Sequence, residues 1–305
     1  MRIVFFGSST FGIPSLRGIY KARHHLIGVV TAQDKPQGRN RKINPTPVKL
    51  CAEELKLKIW QPENLNSTDF LKQMKDLKVD IFVVVAFRKL PPELFTIPEH
   101  GAYNLHASYL PEYRGAAPIQ RALMAGETQT GLSLFKLKES IDTGDIAAQI
   151  RIPIAETDNY ESLSRKLSQQ GAKLILENLE KIDSGNLKLY PQKGKPSLAP
   201  KIKKEDKIIN WEQTPQQICA HIKALSPYPC AQTQYKGRKY KIAQAQIYNP
   251  THPQTPTQPG TWHTEGKKRL YVEGIHGYVE ILCLQEEGRK MMNTLNFLQG
   301  KQGNI

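Results

Sequence analysis

"VDIFVVVAF", residues 79–87, carries one acid and is otherwise apolar, mostly β-branched or aromatic. Side chains of a strand alternate between two faces, so this run leaves neither face for water. It belongs inside a sheet covered on both sides, which is the setting of parallel strands. "MRIVFFGSS" from Met1 reads as a second buried strand ending at Gly7, and "HLIGVVTA" from His25 as a third, with a helix over residues 12–22 between them. "CAEELKLK" (51–58) is helix-like and "DFLKQMKDLK" (69–78) is a short amphipathic helix. Strand and helix alternate through about the first 180 residues, which predicts an α/β, Rossmann-like domain on a mainly parallel sheet. "YESLSRKLSQQGAKLILENLEKIDSG" (160–185) reads as its closing helix, with Gly185 as the stop.

Beyond that helix the pattern changes. Residues 189–204 are rich in Pro, Gly and Lys, as an exposed linker would be. "TPQQICAHIKALS" (214–226) is helical, and after it come short strands: "AQTQYKGRKYKIAQAQIY", "GTWHTE", "KRLYVEG" and "GYVEILCLQEE". Turn residues recur about every ten positions there, a spacing that predicts a small β-barrel of OB-like type. The expected division is a catalytic domain over 1–188, a basic linker over 189–204 and a barrel over 205–305.

Composition narrows the function classes. The longest apolar run, Ile81 to Phe87, is far too short to cross a bilayer. "MRIVFFG" has one basic residue and four apolar residues before Gly7, which is no secretory signal, so a soluble, cytoplasmic chain is expected. Cys51, Cys219, Cys230 and Cys283 are scattered without metal-ligand spacing and read as free thiols of a reducing compartment. The formal net charge of +15 favours a polyanionic partner, nucleic acid first among them. The charge concentrates in "DKPQGRNRKINPTPVK" from Asp34 and "KGKPSLAPKIKKEDK" from Lys193. The first of these segments has too many charges and turn residues to bury an apolar face.

Two stretches carry chemistry. In "NLHASYLPEYRGAAPIQRAL" (104–123), Asn104, His106 and Ser108 fall on one side of an expected strand over 101–107, which runs into a loop stiffened by Pro and Gly. Ligands of open α/β sheets bind beyond the carboxyl ends of strands, where this loop begins. An amide beside an imidazole offers a donor to a developing oxyanion and a group that exchanges protons near neutral pH. "KESIDTGDIAAQ" (138–149) adds Asp142 in an Asp-Thr-Gly turn. A strand His is often a satisfied structural residue and a turn Asp often a backbone cap. Acid, imidazole and amide together make an acyl-transfer set.

Residues 104–149 resemble the core of the methionyl-tRNA formyltransferase family in the Asn-x-His pair, the Leu-Pro loop, the Arg-Gly-Ala-Ala-Pro-Ile run and the Asp-Thr-Gly-Asp turn. "MRIVFFG", "AQDKPQGR", "PTPVK", "VVVAF", "IKKED", "ALSPYP" and "PGTW" stand in the family's order, so the likeness covers essentially the whole chain. It implies transfer of a formyl group from 10-formyltetrahydrofolate, a co-substrate, to the amino group of methionine on charged initiator tRNA. It implies roles for Asn104 as oxyanion donor, for His106 as oxyanion stabiliser or handler of the amine proton, and for Asp142 in orienting His106 and assisting proton transfer. The folate is expected along Val85, Ala86 and Phe87 and against Ser108, Tyr109, Leu110 and Pro111. The tRNA is expected on Arg39, Arg41 and Lys42, in the loop that enters the acceptor end, and on Lys203 and Lys204. No metal is implied, because an N-formyl donor already carries the reactive carbon, and a monomer is expected. Departures from the family pattern are Ser8 and Ser9 after the first strand, Asn40 for Gly, Tyr109 for a second Leu, and Asn210 for Asp.

Three other readings compete. A Rossmann dehydrogenase needs a middle glycine that "GSSTFG" lacks. A formyltransferase acting on sugar nucleotides or on glycinamide ribonucleotide would share the catalytic set but has no use for the charge. A non-catalytic RNA-binding protein leaves Asn104, His106 and Asp142 without purpose, and aromatic RNA-recognition signatures are absent.

Overall fold

The structure, a computed structural model, describes residues 1–37, 42–249 and 256–300. In chain order the elements are β1 (Arg2–Gly7), α1 (Ile13–Lys21), β2 (His25–Val30), β3 (Lys35–Gln37), β4 (Lys42–Asn44), α2 (Pro47–Glu54), β5 (Lys58–Trp60), α3 (Thr68–Asp76), β6 (Ile81–Val85), α4 (Pro92–Phe95), β7 (Ala102–His106), α5 (Pro118–Met124), β8 (Gln129–Lys136), β9 (Ile146–Pro153) and α6 (Tyr160–Asp183). They continue with α7 (Pro215–Leu225), β10 (Ala231–Tyr235), β11 (Arg238–Tyr248), β12 (Trp262–Glu265), β13 (Arg269–Gly274), β14 (Gly277–Glu286), β15 (Met292–Asn293) and α8 (Thr294–Gln299). The chain forms two compact units: Met1–Gly115 with Gln129–Pro153 and Ser164–Leu198, and Ala116–Thr128 with Ile154–Leu163 and Ala199–Ile305.

The first unit is built on a seven-stranded sheet of order β5-β2-β1-β6-β7-β8-β9. The pairs from β5 to β7 are parallel, and β8 and β9 add an antiparallel edge. β6 is the doubly apolar strand expected from its sequence. Phe82 and Val84 enter one buried cluster with Val4, Phe6, Phe70, Met74 and Leu94, while Ile81, Val83 and Val85 on the other face are just as buried. On that other face α6 lies close enough for Gly171 to meet Leu105 and for Leu176 to meet Gly18 of α1. From β1 the order runs to β2 on one side and to β6 on the other, the reversal that opens a crevice beyond the carboxyl ends of an α/β sheet.

In the second unit β10-β11-β14-β13-β12 form an antiparallel sheet, with β15 paired to β14. Register shifts in β11 between Ile242 and Ala245 curl it. The outer strands approach until Tyr235 of β10 stacks on Trp262 of β12, with ring centroids 4.7 Å apart and planes 9° from parallel. The enclosed core joins Ile218, Ile222 and Leu225 of α7 and Phe297 and Leu298 of α8 to Tyr240, Ile242, Leu270, Val272 and Ile281. Thr214 starts α7 with a reciprocal cap, its hydroxyl accepting from the Gln217 N–H and the Gln217 side chain accepting from the Thr214 N–H.

The stretch 189–204 is mostly exposed, yet it is not a loose tether. Tyr190 exchanges backbone bonds with Ile146, Ser197 accepts from the N–H groups of Tyr113 and Arg114, and Ala199 accepts from that of Ala117. Residues 116–128 belong to the second unit, although their place in the sequence falls inside 1–188. Arg121 of α5 explains this: its guanidinium makes two bonds to Asp206 (2.9 and 3.1 Å) and a third to the Pro200 carbonyl.

The Arg121 bond, followed by the Lys203 N–H, holds the Asp206 carboxyl below its ordinary value against a weak opposing effect of burial. A carboxylate whose folded value is depressed contributes stability that is fully present above its unfolded value, about pH 4, and is lost as pH falls through the folded one. Asp206→Asn is therefore expected to cost about 1 kcal/mol at pH 7. Denaturant unfolding of parent and variant should show that gap closing below about pH 4.

Candidate active site

The carboxyl ends of β6 and β7 lie side by side, with Val84 opposite Asn104 and Val85 opposite Leu105. Asn104 and His106 therefore share the sheet face of Phe82 and Val84. Among the described residues no protein group hydrogen-bonds the Asn104 side chain, which is only partly buried. His106 is buried, and its Nε2 lies 2.9 Å from the Tyr113 carbonyl. A carbonyl only accepts, so Nε2 carries the proton and the neutral ring keeps its lone pair on Nδ1. Nδ1 faces Asp142 Oδ2 at 3.8 Å, too far for a direct hydrogen bond and near enough to stabilise a proton arriving on the ring. The imidazole is thus aimed by Tyr113, while Asp142 sits across Nδ1.

Ser108 leaves the expected row because β7 ends at His106. It is fully buried; its hydroxyl donates to the Glu112 carbonyl (2.5 Å) and its own carbonyl accepts from Ser133 Oγ (2.8 Å). The Leu110 side chain is buried with Phe135 and Ile146, its N–H donates to Ser133 Oγ, and its carbonyl accepts from Gln149. Ser108 Oγ and carbonyl and the Leu110 N–H and carbonyl are thus engaged within the loop and its neighbouring strands. Tyr109 is partly buried under Arg151, whose guanidinium lies 4.0 Å above the ring centre. At the end of β6 Val85 is buried, Ala86 is exposed with φ +50°, and Phe87 is partly buried with its ring edge-on to Phe6 at 5.7 Å.

The Asp142 turn has a steric reason for its glycine. An ideal Cβ on Gly144 would fall 1.7 Å from the Lys136 carbonyl oxygen. Asp142 itself is left-handed, φ +53°, a conformation that Asp tolerates better than most residues. Its Oδ2 accepts the Gly115 N–H at 2.8 Å. Gln192 then joins the turn from the stretch expected as a linker. Its Nε2 donates to the carbonyls of Asp142 (2.8 Å) and Gly144 (2.9 Å), and its Oε1 accepts from Arg114 Nη2 (2.6 Å) and Nε (3.2 Å). Nothing in "LYPQKGK" separates this glutamine from an ordinary loop residue, since its partners stand about 50 and 80 positions earlier in the chain.

Of the basic positions, Arg39, Arg41 and the Lys42 side chain lie outside the described residues. What leads up to them is clear: β3 and β4 pair antiparallel with Lys35 opposite Asn44 and Pro36 opposite Ile43, a hairpin that the sequence reading missed. Its base is fastened by Asp34, which accepts from Lys49 Nζ (2.5 Å) and from Gln61 (2.8 Å) and is held below the ordinary carboxylate range mainly by the Lys49 bond. Lys203 and Lys204 are exposed. Among the described residues no group of His, Cys, Asp or Glu could hold a metal ion, and no helix is long and apolar enough to cross a membrane.

Comparison with known proteins gives the family. Residues 1–179 match the family model "Formyl transferase" and residues 201–302 match "Formyl transferase, C-terminal domain". The chain is 39% identical to the methionyl-tRNA formyltransferase of Bacteroides fragilis, over 98% of this chain and 95% of that protein. It is 41% identical to the methionyl-tRNA formyltransferase of Dictyoglomus thermophilum, over 100% and 98%. Among solved structures it resembles HypX of Aquifex aeolicus in complex with tetrahydrofolic acid, with a TM-score of 0.66 and 20% identity. That match takes in 98% of this chain but only 47% of HypX, and it speaks to the fold alone.

The contact at Gly144 is with backbone, which cannot swing aside. Gly144→Ala should therefore displace the turn and cost more than about 3 kcal/mol. A thermal midpoint within a degree or two of the parent's would contradict the tight approach.

Proposed function

The chain belongs to the methionyl-tRNA formyltransferase family, and we propose that it transfers the formyl group of 10-formyltetrahydrofolate to the amino group of methionine on charged initiator tRNA. The observation that carries this reading is an uncommitted Asn104 amide on the same strand face as a His106 ring whose Nδ1 faces a carboxylate. The amine nitrogen attacks the formyl carbon, and the carbonyl oxygen takes up negative charge. Asn104 donates to that oxygen. His106 Nδ1 accepts the proton that the amine loses, while its Nε2 proton stays on the Tyr113 carbonyl. Asp142 stabilises the resulting imidazolium across 3.8 Å. His106 then returns the proton to the departing folate nitrogen, and formyl-methionyl-tRNA and tetrahydrofolate are released.

The exposed Ala86 and the half-buried Phe87 and Tyr109 suit a flat folate ring, with Val85, Ser108, Leu110 and Pro111, all buried, supporting them from within. The segment carrying Arg39, Arg41 and Lys42 suits, by its charge, the phosphates of the acceptor end, and Lys203 and Lys204 suit phosphates elsewhere on the tRNA. The substrates are those of a cytoplasmic enzyme.

The deciding assay is formyl transfer from 10-formyltetrahydrofolate to charged initiator tRNA, with uncharged tRNA and a sugar-nucleotide amine as controls. Transfer to the sugar-nucleotide amine instead would favour the competing formyltransferase reading. Asn104→Ala, His106→Ala and Asp142→Ala should each lower kcat by roughly a hundredfold or more with little change in stability. A folded variant with near-parental turnover would remove that residue from the reaction. Neutralising Arg39 and Arg41 together should raise KM for charged tRNA and reduce the salt dependence by about one phosphate contact per lost charge. Equal salt slopes and equal KM would take Arg39 and Arg41 out of the tRNA site.

A further inference from the structure

We propose that Gln192 is a positioning residue for formyl transfer, acting through Asp142; this rests on the reaction assigned above. The Asp142 turn has little apolar packing to hold it: residues 138–141 are exposed, and Ile141 leaves 61% of its surface in water. Its place is set by polar bonds instead. Gln192 supplies two of them, to the carbonyls on either side of Thr143, and the Gly115 N–H supplies a third, to the carboxylate itself. Gln192 reaches that third bond too, because its Oε1 holds Arg114, the residue before Gly115. One amide thus fixes the backbone that carries Asp142 and the backbone that Asp142 grips.

The chemistry of the position calls for this side chain. Two carbonyls need donors and a guanidinium needs an acceptor, and a carboxamide is the uncharged group that offers both. A carboxylate would keep Arg114 and set negative charge against two carbonyl oxygens; a thioether would serve neither side. Five residues on, Ser197 receives the N–H groups of Tyr113 and Arg114 on its hydroxyl and its carbonyl. Tyr113 is the residue whose carbonyl aims His106. The same strap therefore sets both members of the pair whose 3.8 Å separation the proton transfer uses.

The test compares parent, Gln192→Met, Gln192→Glu, Asp142→Asn and the double variant Gln192→Met/Asp142→Asn in formyl transfer to charged initiator tRNA. Gln192→Met should lower kcat roughly ten- to hundredfold, the scale of a misplacement of about 1 Å in the reacting geometry, with KM for both substrates within about twofold of the parent's. Gln192→Glu should not rescue it, since it keeps only the Arg114 bond. In the Asp142→Asn background Gln192→Met should cause no further loss, because a residue acting through the carboxylate has nothing left to position. A general structural weakness would instead multiply the two defects. Parental kcat in Gln192→Met, a change confined to KM, or independent losses in the double variant each overturn the proposal. Should Gln192→Met fail to fold, Gln192→Asn, one methylene too short to span both partners, makes the same comparison. A parent that does not formylate charged tRNA overturns the assigned reaction and this role with it, whereas an active parent with an equally active Gln192→Met overturns the role alone.

Discussion

The bond from His106 Nε2 to the Tyr113 carbonyl is the constraint on which the site depends. It commits one nitrogen as a donor, and so decides which nitrogen is left with a lone pair and where that lone pair points. Tyr113 can present its carbonyl because its backbone turns left-handed, φ +56°, just before Gly115. The loop that makes this turn is held by side-chain hydroxyls and an amide, the buried Ser133 and half-buried Gln149 from β8 and β9 on one side and the exposed Ser197 on the other. The antiparallel edge strands are therefore part of the site's support, since they bring Ser133 opposite His106 in the ladder.

Much of this was legible from the sequence, and the reasons differ by element. β6 announced itself because apolar residues on successive positions leave a strand no exposed face, and Phe82 and Val83 are indeed buried on opposite sides. The closing helix ran into Gly185, which is left-handed with φ +69°. Asn104 and His106 could be placed because a period of two puts alternate residues on one face. Ser108 could not, since periodicity says nothing about where a strand stops. The β3–β4 hairpin was hidden by its charge, because a short two-stranded ribbon outside the core needs no apolar alternation. Gln192 was hidden for a deeper reason: a side-chain amide that satisfies distant backbone groups has no local signature, and its Pro, Gly and Lys neighbours report only that the segment is exposed.

The second unit shows how little hydrogen bonding is needed to bring a curled sheet round on itself. Tyr235 and Trp262 meet face to face with the Tyr240 ring against them, so aromatic area does the work of a ladder at the seam. On β13 the buried Glu273 would be pushed up by its surroundings, yet the N–H groups of Gln258 and Thr257 and the His263 ring hold it below the usual carboxylate range. The sheet can thus carry a charged group inside it, because the group's bonds outweigh the cost of drying it.

The strap of residues 190–197 also sets an order of events during synthesis. When the ribosome has made everything through α6, the nascent chain already holds Asn104, His106, Asp142 and every strand of the first sheet, but neither Gln192 nor Ser197. The sheet can form at that stage. The His106 ring and the Asp142 carboxylate cannot yet be held in register, because the residues that fix Tyr113 and the Asp142 turn emerge only afterwards. Folding of the scaffold and maturation of the site are therefore separate steps, and a piece of the chain trimmed to the limits of the first sheet would be a well-formed body with an unfinished centre.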